Sequence, residues 1–155
     1  TTSSSFAIDL KKWLQIMETY EAGGHAYHAT MPTDALTRVR DVMVETRDWG
    51  FARAKAAQQQ LGEQVRALLE RKGIQSVAAA GFQAPGVVVS YTADPAFQNG
   101  KKFMEQGLQI AAGVPLQCDE PADFRSFRIG LFGLDKLRDT DAAVRRLDAA
   151  LNKLL

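Results

Sequence analysis

The sequence holds a single cysteine, Cys118, and only two histidines in 155 residues. One thiol cannot close an internal disulfide, which excludes a disulfide-framed secreted scaffold and points to a reducing, cytoplasmic setting. Apolar runs approaching the ~18 residues of a membrane span are missing, so no membrane crossing is expected. Neither sign of charge dominates: 19 Lys and Arg against 18 Asp and Glu leave a net +1. That balance offers no basic surface for nucleic acid. Five prolines and 12 glycines are too few for a collagen-like or low-complexity chain. What remains is ordinary for a globular domain, with 46% hydrophobic residues and a length suited to one core. No apolar stretch of a signal peptide follows Thr1 to Ser5. Residue 1 is Thr rather than Met, so a processed, trimmed or partial chain is expected.

Helical periodicity comes first along the chain. Residues 6–20 place Leu10, Trp13, Leu14 and Met17 at helical spacing, with Ser5 as the expected N-cap and Gly23-Gly24 as the stop. Residues 23–32 form a punctuated loop, after which Thr33 caps a helix with Leu36, Val39, Met43 and Val44 as its apolar stripe. A bend at Trp49-Gly50 leads into a long helix to about Lys72. Its expected buried side is Phe51, Ala54, Leu61, Val65, Leu68 and Leu69, with Gly73 just past the end. The period then changes. Residues 74–80 and 86–91 are β-rich and separated by Gly81 and Pro85, which predicts a hairpin or meander. Asp94-Pro95 opens a helix expected to run to about Gln106. Strands are expected at 108–112 and 124–132. Thr140 or Asp139 caps a final helix with Val144, Leu147, Leu151 and Leu154 at seam spacing. The order predicts an α+β, two-layer fold: a small, mainly antiparallel sheet of three to four strands covered by helices.

Few residues on this frame carry chemistry. In the stretch from Phe124 to Phe132, strand alternation puts Arg128 on one face with Gly130 and Phe132, and Phe127, Ile129 and Leu131 on the other. A guanidinium keeps its charge, so beside an apolar surface it requires an anion or water. It is either a two-pronged carboxylate clamp or an edge-strand arginine with its head in solvent. Tyr27 and Thr30 lie in a loop just before a helix start, a setting that suits either an anion site or a capped turn. Glu18, Glu21, His25 and His28 have the spacing of metal ligands on one helix, but Gly23-Gly24 interrupts it, and no metal is expected. Cys118 has Asp119 and Glu120 beside it, which disfavour a thiolate nucleophile. A Walker loop and a G-x-G-x-x-G motif are absent.

Two segments together carry a resemblance. Phe6 to Pro32 contains Asp9-Leu10-Lys11-Lys12-Trp13-Leu14 and then Tyr27-His28-Ala29-Thr30-Met31-Pro32. It resembles the segment after the cofactor lysine in alanine–glyoxylate and serine–glyoxylate aminotransferases, class V members of the fold-type I pyridoxal-phosphate enzymes. Phe127-Arg128-Ile129-Gly130-Leu131-Phe132-Gly133, followed by a capped helix, is similar to their C-terminal R-I-G-L-x-G strand. The resemblance covers nearly the whole chain. It implies a connecting helix and cofactor-phosphate loop at 1–32 and a C-terminal small domain at 33–155. The large domain, with the lysine that carries pyridoxal 5'-phosphate, would fall outside this chain.

Carried over residue by residue, Arg128 would bind the substrate α-carboxylate. Tyr27 and Thr30 would contact the cofactor phosphate of the neighbouring subunit in a homodimer. The activity implied is amino transfer from Ala or Ser to glyoxylate or pyruvate, with the isolated chain inactive. Two alternatives stand beside it. One is a cysteine desulfurase of the same class, using Cys118. The other is a free-standing, non-enzymatic α+β domain whose Arg128 holds a carboxylate effector.

Overall fold

A computed structural model describes residues 8–30 and 32–155. The chain divides into two compact units, Thr1–Met43 and Val44–Leu155. In the first, α1 (Leu10–Glu21) starts where the Asp9 carboxylate accepts the Lys12 N–H at 3.1 Å. The expected cap, Ser5, lies outside the described residues. Gly23, at φ +79°, turns the chain after the helix. The loop that follows is packed on α1 by two edge-on ring contacts. His28 meets Trp13 at 4.9 Å between centroids, and His25 meets Tyr20 at 5.7 Å. Then α2 (Thr33–Trp49) begins at Thr33, one residue earlier than a Thr33 cap implies. None of its residues is buried, and the expected stripe of Leu36, Val39, Met43 and Val44 stays 39 to 64% exposed.

The second unit contains the sheet and the core. Gly50, at φ +103°, separates α2 from α3 (Phe51–Arg71). The α3 C-terminus closes as a Schellman motif: the Gly73 N–H donates to the Glu70 carbonyl and the Ile74 N–H to the Leu69 carbonyl, both at 2.9 Å, with Gly73 left-handed. Leu61, Val65, Leu68 and Leu69 are buried as the helical period predicts, whereas Phe51 is 66% exposed because it lies nearly three turns before the core-facing stretch that starts at Leu61.

Only part of the expected first strand forms. Residues 74–80 contribute one bridge, Ser76 to Ser90, flanked by the Tyr91 N–H to Gln75 carbonyl bond. Ser76 turns its hydroxyl back to the Ala78 carbonyl, a local bond that competes with a ladder. The full strand is β1 (Val87–Tyr91).

Asp94 caps α4 (Pro95–Gln98) as expected, but the helix stops early. Gly100 takes a left-handed conformation, and the Asn99 side chain accepts the Lys101 N–H at 2.9 Å, which starts a separate α5 (Lys101–Glu105). Two short strands follow, β2 (Ala111–Ala112) and β3 (Ser126–Gly130). Next come α6 (Leu134–Leu137), which the sequence pattern did not predict, and α7 (Thr140–Leu154), capped by Asp139.

The sheet is antiparallel in the order β1-β3-β2. It is a small α+β unit with helices against one face of the sheet, as expected. Phe127 and Ile129 of β3, with Val88 of β1, face the helices. Phe127 meets Phe97 and Phe103 in a three-ring cluster with centroids 5.2 to 5.8 Å apart, closed by Leu147 and Leu151 of α7. Two glycines permit close approach. A Cβ at Gly62 would come 2.8 Å from the Pro85 carbonyl oxygen, and one at Gly113 would come 1.7 Å from that of Ser126.

Candidate functional site

Arg128 lies in the middle of β3, opposite Val89 of β1 and Ala111 of β2. It therefore occupies the central strand rather than an edge. Its neighbours Phe127 and Ile129 face the core, so Arg128 stands on the other side of the sheet. The side chain is half-buried and leans toward β2, where its Nε–H donates to the Ala112 carbonyl at 2.9 Å. No carboxylate pairs with it among the described residues, which leaves Nη1 and Nη2 free to donate. A half-desolvated guanidinium with one edge fixed and another open is suited to receive an acid group in a set orientation.

Tyr27 and Thr30 belong to the first unit. Their hydroxyls are hydrogen-bonded to each other at 3.3 Å and both side chains are exposed. The structure thus brings these two residues together. The histidine–aromatic contacts described above hold their loop in place.

The thirteen-residue connection from β2 to β3 carries Cys118. The thiol is exposed, and the backbone around it is organised by Glu120. That carboxylate accepts N–H groups from Leu116, Gln117 and Cys118 at 2.6, 3.0 and 2.8 Å, while Gln117 and Asp119 adopt left-handed conformations. The Cys118 and Gln117 N–H bonds lower the Glu120 pKa to about 2. The cradle of amide groups is filled by the protein's own anion. No three His, Cys, Asp or Glu side chains gather as a metal site among the described residues.

Two features escaped the sequence pattern. Arg66 looks like a solvated helix residue, yet it is buried and donates to the carbonyls of Gly62, Ala84 and Val87. Burial pushes its pKa down, against the opposing effect of Glu70. It ties α3 to the start of β1. The second feature is the Ala112 carbonyl beneath Arg128. No local signal announces it, because its place depends on a strand pairing across sixteen residues. A cleft of about 400 Å³, bordered by Leu61, Leu108, Ile110, Ile129 and Leu147, opens in the second unit, and Arg128 is not among its walls.

The fold is that of the C-terminal part of an aminotransferase. A solved alanine–glyoxylate aminotransferase from a Nostoc species superposes with a TM-score of 0.71 over 97% of this chain, at 17% sequence identity. This chain spans 39% of the length of that enzyme. No protein-family model and no curated protein matches the sequence.

Proposed function

We propose that this chain is the C-terminal portion of a class V pyridoxal-phosphate-dependent aminotransferase that moves an amino group from Ala or Ser to glyoxylate or pyruvate. The observation that carries the reading is the open Nη edge of Arg128, on the central strand of a fold shared with an alanine–glyoxylate aminotransferase. Residues 1–32 are then the connecting helix and cofactor-phosphate loop, and residues 33–155 the small domain. The cofactor-binding large domain belongs to polypeptide outside this chain. The choice of donor and acceptor follows the solved neighbour and the sequence resemblance.

In this reading Arg128 receives the α-carboxylate through two parallel N–H···O bonds. Two contacts stop the amino acid from rotating and hold its Cα–H bond in one direction. Tyr27 and Thr30 point two adjacent hydroxyls at the cofactor phosphate of the neighbouring subunit in a homodimer. A hydroxyl pair suits the edge of a phosphate, but it is uncharged, so most of the anchoring falls to the large domain. When bound, pyridoxal phosphate supplies the electron sink for the charge left at Cα. The test is amino transfer from L-alanine to glyoxylate by the longer polypeptide, with and without Arg128→Ala. An unchanged kcat/KM in the variant removes the carboxylate role.

A further inference from the structure

We infer that the backbone at Ala112–Gly113, where β2 ends, positions the Arg128 fork and restricts an incoming acid to the end-on edge made by Nη1 and Nη2. The inference rests on the carboxylate role proposed above for Arg128. A guanidinium can hold a carboxylate end-on through Nη1 and Nη2, or side-on through Nε and one Nη. In this fold the Nε–H is already engaged by the Ala112 carbonyl at 2.9 Å. Side-on capture would break that bond and leave the carbonyl without its donor.

The carbonyl is itself held in place from two directions. Ala112 pairs with Phe127, so it sits one step past the residue opposite Arg128. Gly113 follows, with its N–H donating to the Gln98 carbonyl at 3.0 Å. Its α-carbon lies so close to β3 that an added Cβ would come 1.7 Å from the Ser126 carbonyl oxygen and 2.9 Å from Ser126 Oγ. Ser126 is buried and is part of the ladder, so it cannot move aside. Glycine is required at 113 by this contact; its φ is not in the left-handed region. Position 113 is therefore a positioning residue for Arg128, acting through the carbonyl just before it.

The test uses the 155-residue chain labelled with nitrogen-15 and carbon-13, titrated with acetate at constant ionic strength. Saturable shifts of the Arg128 Nη signals are expected, while the Nε–H signal and its coupling across the hydrogen bond to the Ala112 carbonyl carbon persist. A Nε–H signal that moves in step with Nη, with loss of the coupling, overturns the end-on restriction and leaves the carboxylate role standing. No saturable shift on either edge overturns the end-on restriction, whereas the carboxylate role is overturned separately by an unchanged kcat/KM of Arg128→Ala in the longer polypeptide. In Gly113→Ala the coupling is expected to vanish and acetate affinity to fall roughly three- to tenfold, the scale of one hydrogen bond. The ring signals of Phe103 and Phe127 should stay in place. Unchanged affinity after loss of the coupling overturns the positioning role. If Gly113→Ala does not fold, the coupling and titration in the parent chain decide the matter.

Discussion

Arg128 combines a fixed edge and a free edge on one side chain, and this governs what its replacement should do. If the proposed function holds, Arg128→Ala in the longer polypeptide is expected to weaken transition-state binding of the amino acid by about 2–5 kcal/mol, the scale for truncating one partner of a buried charge pair. Measured kcat/KM checks it. Arg128→Lys should recover little, because an ammonium has neither the Nε–H that Ala112 holds nor a two-pronged edge. Tyr27 and Thr30 predict a different signature. Replacing both with Phe and Val should raise the cofactor Kd more than the substrate KM; equilibrium dialysis against pyridoxal phosphate measures it, and an unchanged Kd would remove the two residues from the cofactor site. Glu120 adds a pH dependence. Its folded pKa of about 2 lies below the ordinary 4.5, so the folded loop binds fewer protons than the unfolded chain between those values. Its contribution is complete above about pH 4.5 and is lost as the pH falls toward 2. Protection factors of the Leu116, Gln117 and Cys118 amides, each taken against the intrinsic exchange rate at that pH, should be raised at pH 5 and fall toward 1 near pH 2, and in Glu120→Gln they should stay near 1 at both.

At the scale of elements, α5 and the β2–β3 hairpin depend on each other. Phe103 of α5 is fully buried against Phe97 and Phe127, and Phe127 is the residue just before Arg128. Phe103→Ala should therefore destabilise the unit by about 3–5 kcal/mol, as expected for removing a large buried ring, measurable by urea denaturation. The periodicity of the sequence made α3 and α7 legible, since their apolar residues recur every three or four positions and their caps are local. Gly73 and Asp139 act through bonds to residues at most five positions away. Residues 74–80 show the opposite. Their β-rich composition predicts a strand, but a strand exists only if a neighbour completes its ladder, and here β1 is completed mainly by β3. The break between α4 and α5 at Asn99-Gly100 is visible in the residues once Gly100 is seen to be left-handed.

For the molecule as a whole, the apolar residues on α1 and α2 matter most. Leu10, Leu14, Met17, Val39 and Met43 are all more than half exposed. Large exposed apolar patches are uncommon on soluble monomers and mark contact surfaces. If the chain is one portion of an aminotransferase, those residues belong against the rest of the enzyme. The 155-residue chain alone should then show no pyridoxal-phosphate-dependent amino transfer. Glyoxylate-dependent loss of L-alanine in its presence would overturn this.

The sequence by itself determined the long helices α3 and α7, the Gly73 stop and the Asp139 cap at their ends, and the face of the last strand on which Arg128 stands. Each of these depends on residues within a turn or two, where spacing alone sets geometry. Only the tertiary structure decided that Arg128 sits in the central strand, that the Ala112 carbonyl holds its Nε–H, and that Arg66 is buried. Those facts come from pairings between distant segments, which no local pattern encodes, because a strand's neighbours are chosen by the packing of the whole unit.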